Sequence, residues 1–514
     1  MDAKYPLFHP NRMSRRRFMH TVGAGAVATT AFARGVATPA AQRGGKNVIR
    51  ADRFGRMFPT LPPFASHTRK MEDALMELGK KDGLLDAQDN LAAGPIPLIT
   101  DLKLSANNRN SDTHGAGVTF MGQFIDHDLT RDTTSELGVQ EQPEKTVNGR
   151  TPFFDLDSVY GNGPSGSPLL YDPADPAKLK VESGGICEDV PRDAAGRALL
   201  GDPRNDENII ISGMHAAFLL FHNRAVDDLR SEGTPPTEVF NAAYQLTIWH
   251  YQWMVVHEFL PRFIGQALAN DILSGGPRFL GPDQQGIPVE FQTAAYRFGH
   301  SQVRPSYRAN LAGDNGQPFF GFIFDPAEFG KVDGDDLTGG SRAPRRFIGW
   351  QTFFDFGDGA LRPNKKIDTH VSTPLFNLPP ISIPGGPSVL MQRTFLRHLT
   401  WGIPSGQQVA RAMGAPMLQQ ADLQELAQFD NSLLAATPLF YYVLKEAELA
   451  ESGEHLGPVG GRIVGEVFVN SLRNDRNSYL NVDPNWVPTV GGGSSFRMTD
   501  FLTYAGVDPA ARGQ

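Results

Sequence analysis

Apolar residues recur at helical intervals along most of this chain, and strand-like alternation is scarce. Stretches rich in Gly and Pro separate the helical patterns, as is typical of long shaped loops. The pattern therefore predicts a mainly α fold, with a single large helical domain and long loops. The predicted helices cover residues 66–94, 113–130, 213–231, 236–266, 288–303, 394–401, 405–413, 421–436 and 438–451.

The composition is that of a folded protein without cysteine chemistry. Hydrophobic residues make up 40% of the 514 residues, which is enough for a large core and excludes general disorder. The net charge of −8 argues against a nucleic-acid partner, since proteins that bind the phosphate backbone are normally basic. Cys187 is the single cysteine, which excludes a disulfide framework and an iron–sulfur cluster within one chain.

The N-terminus predicts an export signal of the twin-arginine type. Arg15, Arg16 and Arg17 precede an uncharged stretch, residues 21–33, that is too short to span a membrane. We expect residues 1–42 to be the signal peptide, 43–65 a linker, and the location to be periplasmic or secreted. The alternative is a disordered basic tail. No later segment has 18 uninterrupted apolar residues, so we expect no membrane span.

The first chemical motif is Gln123-Phe124-Ile125-Asp126-His127-Asp128. On a helix, Gln123 and His127 share a face because they are four residues apart. Asp126 and Asp128 lie on either side of His127, so at most one of these carboxylates shares a pocket with it. The alternative is a polar helix face without a chemical role.

The second motif is a loop with oxygen donors at alternate positions. In an extended segment, residues two apart point the same way, so Thr151, Asp155, Asp157 and the carbonyl of Phe153 would converge. Oxygen ligands suit Ca²⁺, and Asp128 is placed to add one from the helix side. An Asx-turn loop is the alternative.

Two more motifs carry a cation or an imidazole. Arg204 and Glu207 are three residues apart, which places them on one side of a helical turn; a surface ion pair is the alternative. His300 follows Gly299, whose missing side chain would let a flat cofactor approach. Arg297 lies one turn earlier, where it could bind a cofactor carboxylate. A packed core histidine is the alternative for His300.

In this order, the four motifs resemble the animal-type haem peroxidase superfamily, in its bacterial, peroxinectin-like branch. The resemblance extends over about residues 65–470. It implies a haem peroxidase domain at 66–480, with a C-terminal extension at 481–514. It also implies haem b attached by ester links, a structural Ca²⁺, H₂O₂ as substrate, and a small electron donor such as a phenolic compound, a halide or a pseudohalide.

The resemblance assigns a role to each motif. His127 would be the distal base, Gln123 its neighbour and Arg204 the catalytic arginine. The ester-forming carboxylates would be Asp126 and Glu207. His300 would bind the iron, and Arg397, before Gly402-Ile403-Pro404-Ser405, would contact a haem propionate. The calcium ligands would be Asp128, Thr151, Phe153, Asp155 and Asp157.

The sequence departs from the family pattern at two positions. Thr394 stands where the family has an Asn that accepts the proximal histidine proton, and Asn208 stands where one member has a Met linked to haem. Two other functions remain open. A fatty-acid dioxygenase of the same superfamily would use a Tyr three residues before the proximal histidine, where this chain has Arg297 beside Tyr296. The second is a non-enzymatic, calcium-stabilised exported binding module.

Overall fold

The computed structural model describes residues 52–105, 107–281, 284–379 and 386–514. The predicted signal peptide lies outside the described residues, as do residues 43–51 of the predicted linker. Both assignments therefore remain predictions.

Helices dominate the described part of the chain. Its ten α-helices of eight or more residues are α1 (Arg69–Leu78), α2 (Gly117–Leu129), α3 (Ile209–Ser231), α4 (Val239–Met254), α5 (Gln266–Gly275), α6 (Leu390–Trp401), α7 (Gly406–Met413), α8 (Leu439–Ala450), α9 (Pro458–Asn474) and α10 (Met498–Ala505). Shorter α-helices are Pro95–Thr100, Asp157–Tyr160, Gly163–Gly166, Leu260–Ile264, Val289–Thr293, Gly299–Gln302, Tyr479–Val482 and Pro509–Arg512.

The strands are few and short. They form three antiparallel pairs: β1 (Asn110–Gly115) with β6 (Pro363–Lys365), β2 (Glu182–Ser183) with β3 (Glu188–Asp189), and β4 (Ser306–Arg308) with β5 (Phe320–Phe322). The prediction of a mainly α fold with long loops is confirmed.

The central helix, α3, starts earlier than predicted because Asn208 caps it. The Asn208 side chain accepts hydrogen bonds from the backbone N–H groups of Ile210 and Ile211. By length and apolar composition α3 would pass as a membrane-spanning helix. However, 83% of its most apolar window is buried inside the protein, as is typical of a core helix.

The predicted long helix 236–266 is interrupted. After α4, residues Val255–Phe259 form a π-helical turn that leads into Leu260–Ile264. Pro261 has no N–H to donate, so the regular helical ladder cannot continue through it. The buried Glu258 in this turn accepts a hydrogen bond from the N–H of Met498 (2.7 Å), which fastens the start of α10 to the core.

The prediction of one continuous helix over 288–303 is wrong. The segment consists of Val289–Thr293, a 3₁₀ turn at Ala295–Phe298 and Gly299–Gln302. Ala294 breaks the helix with φ −124° and ψ −74°. As a result, His300 lies at the beginning of a short helix instead of on a long one.

Helix α9 was not predicted, because glycine-rich sequence is more typical of loops than of helices. Those glycines allow close packing instead. A Cβ added at Gly465 would come within 2.5 Å of Ile272 in α5, and one at Gly460 within 2.6 Å of Val443 in α8. Two other predicted segments differ in extent: 66–94, expected to hold one or two helices, contains α1 and a 3₁₀ turn at Leu91–Ala93, and 421–436 is 3₁₀.

Candidate active site

The C-terminal half of α2 forms one side of the site. It holds the buried imidazole of His127, whose Nδ1 lies 2.8 Å from Oδ1 of Asn205. Nε2 of His127 makes no hydrogen bond to a described residue, and it retains accessible surface. Burial and the charge of Arg204 lower the pKa of His127 to about 4. The ring is therefore neutral at pH 7 and has a lone pair available.

Two carboxylates lie near His127. Gln123 donates to Oε2 of Glu207 (3.3 Å) and accepts from Asn208 (3.4 Å), which holds Glu207 beside α2. Burial raises the pKa of Glu207 to about 7. Oδ2 of Asp126 lies 3.7 Å from Nη1 of Arg204. Both carboxylates retain accessible surface, so a ligand in the site could reach them.

Arg204 is held in a fixed position by Asp202. The turn Pro203–Asp206 begins at Asp202, whose side chain accepts from the Arg204 N–H. The guanidinium donates to both oxygens of the same carboxylate, from Nε at 3.1 Å and from Nη2 at 2.9 Å. Burial alone would lower the pKa of Arg204, but the Asp202 carboxylate outweighs it and the net shift is upward. Arg204 thus pairs with Asp202 and not with Glu207.

The other side of the site contains His300. Its Nδ1 is buried without a hydrogen-bond partner among the described residues, and its Nε2 makes no hydrogen bond there either. A Cβ added at the neighbouring Gly299 would meet no atom within 4 Å, so there is open space beside the imidazole. Burial lowers the pKa of His300, and the charges of Arg297 and Arg397 lower it further. A neutral imidazole next to open space is suited to binding a metal.

Two guanidinium groups, those of Arg297 and Arg397, lie near His300. Arg297 donates from Nε to the Gln292 carbonyl (3.0 Å), and neither Arg297 nor Arg397 forms an ion pair with a described residue. Burial lowers the pKa of Arg297 to about 9, and the nearby charge of Arg397 acts in the same direction. Two buried cations that repel each other are costly unless an anion compensates them.

These two sides face one another. The charges of Asp126 and Arg204 contribute to the pKa values of both Arg297 and Arg397. Around one region there are therefore an imidazole without a hydrogen-bond partner among the described residues, two guanidinium groups that form no ion pair with those residues, and open space at Gly299. This donor set fits a flat metal complex that carries carboxylates, which is what haem is.

The predicted calcium ligands also come together. Carboxylate oxygens of Asp128, Asp155 and Asp157 lie within 4.8 Å of one another. Thr151 donates from its hydroxyl to Asp155 (2.7 Å), and no described N–H donates to the carbonyl of Phe153. Burial raises the pKa of Asp155 to about 8, and the charge of Asp157 adds to the rise. Three carboxylates at this distance repel one another unless a cation or protons neutralise them.

The convergence has a different cause from the one predicted. The loop is not extended: Leu156 adopts the left-handed conformation (φ 55°, ψ 35°), and Asp157 begins a short helix. A non-glycine residue in this region is strained. The Leu156 N–H donates to Asp128 (3.2 Å), and this bond ties the turn to α2.

Two side chains that the sequence singled out are engaged elsewhere. The Thr394 hydroxyl donates to the Leu390 carbonyl in its own helix (3.1 Å). Tyr296 donates to the carbonyl of Gly122 in α2 (3.1 Å) and stacks on Phe291 at 4.6 Å between ring centroids.

Three residues of the site were not predicted from the sequence: Asp202, Asn205 and His215. Asn205 donates from Nδ2 to Nδ1 of His215 in α3 (3.0 Å) while its Oδ1 contacts His127. The Asp-Pro pair at 202–203 is a helix-start signal that could have located Asp202. No local pattern indicated Asn205 or His215: Asn205 contacts His127 across 78 positions, and its contact with His215, ten positions on, matches no helical or strand spacing.

Comparison with known proteins shows what this chain is similar to. Residues 131–319 match the family described as animal haem peroxidase. The peroxidase-like protein of Margaritifera margaritifera is 24% identical, over 84% of this chain and 64% of its own length. Thyroid peroxidase of Homo sapiens is 26% identical, over 32% of this chain and 20% of its own length. The chain thus spans less than two thirds of the length of these relatives.

Solved structures show the same fold. Peroxidase A of Dictyostelium discoideum superposes with a TM-score of 0.56 at 17% identity, over 89% of this chain and 92% of its own. A fatty acid alpha-dioxygenase of Arabidopsis thaliana gives 0.55 at 14% identity, over 85% and 75%.

The family match at residues 131–319 and the peroxidase relatives show that this chain is similar to animal haem peroxidases, and the solved structures show that it shares their fold.

Proposed function

We propose that this chain is an exported haem peroxidase that reduces H₂O₂ and oxidises a small donor, either a phenolic compound or a halide or pseudohalide. The proposal is carried chiefly by His300, whose buried Nδ1 has no hydrogen-bond partner among the described residues and which lies near two guanidinium groups that form no ion pair there. A direct test is H₂O₂-dependent oxidation of guaiacol by the purified protein. Lack of turnover by haem-loaded protein with phenols, iodide and thiocyanate alike would reject it.

The haem would lie between the two sides of the site. His300 would bind the iron, while Arg297 and Arg397 would pair with the propionates. A bound haem would supply the two electrons that reduce peroxide, and the small donor would then return them to it. The protein's part is to hold the substrate and to move its protons.

His127 is suited to move the peroxide proton. Its neutral imidazole would take the proton from H₂O₂ and return it to the departing oxygen, acting first as base and then as acid. Arg204 stays charged and would stabilise the negative charge that develops as the O–O bond breaks. The nearby Gln123 would help to orient the peroxide.

Asn208 bears on the choice of donor. Its side chain caps α3 and donates to Gln123, so the position offers no sulfur for a link to haem. We therefore expect phenols or the more easily oxidised halides and pseudohalides to be better donors than chloride. Comparing turnover of guaiacol, iodide and chloride at one peroxide concentration tests this order.

Calcium removal is expected to destabilise the protein. We propose that Asp128, Asp155 and Asp157 bind Ca²⁺ with Thr151 and the Phe153 carbonyl. Calcium at about 100 times its Kd would add about 2.7 kcal/mol to the stability of the folded state. Chelation should therefore lower the Tm by several degrees, measured by scanning calorimetry with and without EGTA.

A matched pair of variants separates this site from general charge effects. Asp155→Asn should lower the Tm and remove its dependence on calcium. Asp112→Asn changes an aspartate whose side chain is 85% exposed and should keep the wild-type response. If wild type and Asp155→Asn respond equally to EGTA, calcium does not bind at this loop.

We also propose that Asp126 and Glu207 form ester bonds with haem methyl groups. Both carboxylates retain accessible surface near His127. Acid–acetone extraction should then leave haem on the wild-type protein and release it from an Asp126→Asn, Glu207→Gln double variant. Clean release of haem from the wild type would overturn the ester links and leave the peroxidase proposal standing.

The shared fold keeps a fatty-acid dioxygenase as the second candidate. Against it, the position three residues before His300 is Arg297, and the Tyr296 hydroxyl is bonded to the Gly122 carbonyl. Oxygen uptake with palmitic acid and no added peroxide distinguishes the two activities. Uptake that exceeds peroxide-dependent turnover would favour the dioxygenase. A colourless protein would instead favour a non-enzymatic binding module.

A further inference from the structure

Asn205 connects two imidazoles that come from different helices. Its Oδ1 lies 2.8 Å from Nδ1 of His127 in α2, and its Nδ2 lies 3.0 Å from Nδ1 of His215 in α3. Asn205 is fully buried, and His215 and His127 are only 1% and 4% exposed. Water therefore competes little for these two hydrogen bonds.

The two ends of a carboxamide fix which imidazole atoms carry protons. An amide oxygen can only accept a hydrogen bond, and an amide NH₂ can only donate. Nδ1 of His127 must therefore be the donor, and Nδ1 of His215 must be the acceptor. A neutral imidazole has one N–H. Nε2 of His127 consequently has the free lone pair, whereas the proton of His215 is on Nε2.

The turn that carries Asn205 is held on both sides. Before it, the buried carboxylate of Asp202 caps the turn and pairs with Arg204. After it, Asp206 forms a salt bridge with Arg192 at 2.7 Å. The Asn205 backbone therefore has little freedom, and the carboxamide orientation depends mainly on its two imidazole partners.

We infer that Asn205 is a positioning residue that keeps His127 in the tautomer with Nε2 unprotonated, and that His215 keeps the Asn205 carboxamide in the required orientation. The inference rests on the proposed peroxidase function, in which Nε2 takes the proton of H₂O₂. That proton forms a new bond to Nε2 while the Nδ1 proton stays hydrogen-bonded to Asn205. It later leaves Nε2 for the departing oxygen, so no proton is gained or lost.

A rotated carboxamide would reverse this arrangement. Its NH₂ group would face Nδ1 of His127 and would force the ring proton onto Nε2. The imidazole could then not accept a proton from peroxide. His215 opposes this rotation because its Nδ1 has a lone pair for the NH₂ group and no proton for the carbonyl.

Ligand kinetics on the haem-loaded protein test the inference. Asn205→Leu keeps the approximate size of the side chain and removes both hydrogen bonds. It should slow the reactions with H₂O₂ and with HCN by roughly 10- to 10³-fold, since both ligands must give up a proton to a base. Nitric oxide has no proton to lose, so its association should stay at the wild-type rate. Asn205→Asp retains an acceptor for His127 and should recover part of the loss.

Histidine tautomers provide a readout that needs neither haem nor turnover. Selective ¹⁵N-histidine labelling of the full chain, with His127→Ala and His215→Ala for assignment, should show Nδ1–H on His127 and Nε2–H on His215. His215→Phe should disturb the His127 signal. The control His222→Phe removes another buried histidine of α3, whose partners are Tyr160 and Ala177, and should not disturb it.

Each outcome separates this inference from the peroxidase proposal. Wild-type rates with H₂O₂ and HCN in Asn205→Leu would overturn the positioning role even if the protein is a peroxidase. An equal loss of nitric oxide binding would show that Asn205 is merely structural. An Nε2–H tautomer at His127 would also refute the inference. A wild-type protein that binds haem but does not react with H₂O₂ would instead refute the peroxidase proposal.

Discussion

Replacing His127 with alanine should slow the reaction of the protein with H₂O₂ by about 10²–10⁴-fold, the usual contribution of a positioned acid–base group. The reason is geometric: Nδ1 of His127 contacts Asn205, whereas Nε2 makes no hydrogen bond to a described residue and faces the site. Stopped-flow absorption at the Soret band measures the bimolecular rate constant. Haem content should change little, because His127 is assigned no bond to the iron.

Two comparisons sharpen that experiment. Arg204→Ala removes the stabilising charge and should cost about 10²–10³-fold in rate. His67→Ala changes an exposed histidine outside the site and should react like the wild type. If His127→Ala and Arg204→Ala react with peroxide at the wild-type rate, the distal assignments are wrong.

Replacing His300 with alanine should remove the protein's bond to the iron and nearly all peroxidase activity. The ferrous wild type should show an iron–histidine stretching band by resonance Raman spectroscopy, and the variant should lack it. Added imidazole should occupy the space that the variant leaves and restore the band and part of the activity. The restored band distinguishes a lost ligand from a misfolded protein.

The control for the His300 variant is a second buried histidine, whose ring nitrogens both have hydrogen-bond partners. His398 is fully buried, but its Nδ1 bonds the Thr394 carbonyl and its Nε2 accepts from the Phe440 N–H. His398→Ala should therefore cost stability without removing the iron–histidine band. If His300→Ala keeps that band, another residue binds the iron.

Parts of this site could be predicted because they are local. Gln123 and His127 share one face of α2 because residues four positions apart lie on the same side of a helix. Asp155 and Asp157 meet Asp128 as expected, although the strained Leu156 and not an extended loop brings them together. Residue types and short spacings therefore predicted which side chains come together, even where the predicted backbone conformation was wrong.

The features that could not be predicted from the sequence depend on contacts between distant segments. Asn205 contacts His127 across 78 positions, and such a pairing depends on how α2 and α3 pack. The glycines of α9 resemble loop residues until their contacts with Ile272 and Val443 are known. The break at Ala294 likewise had no signal in the sequence, where the apolar pattern continued through 288–303.

The central claim is that His300 binds a haem iron that faces His127. The most direct measurement is an absorption spectrum of the purified full-length protein, followed by a pyridine-haemochrome determination of the haem. We expect a Soret band and about one haem per chain. A correctly folded protein that has no Soret band, and gains none when haem is added, would contradict the account.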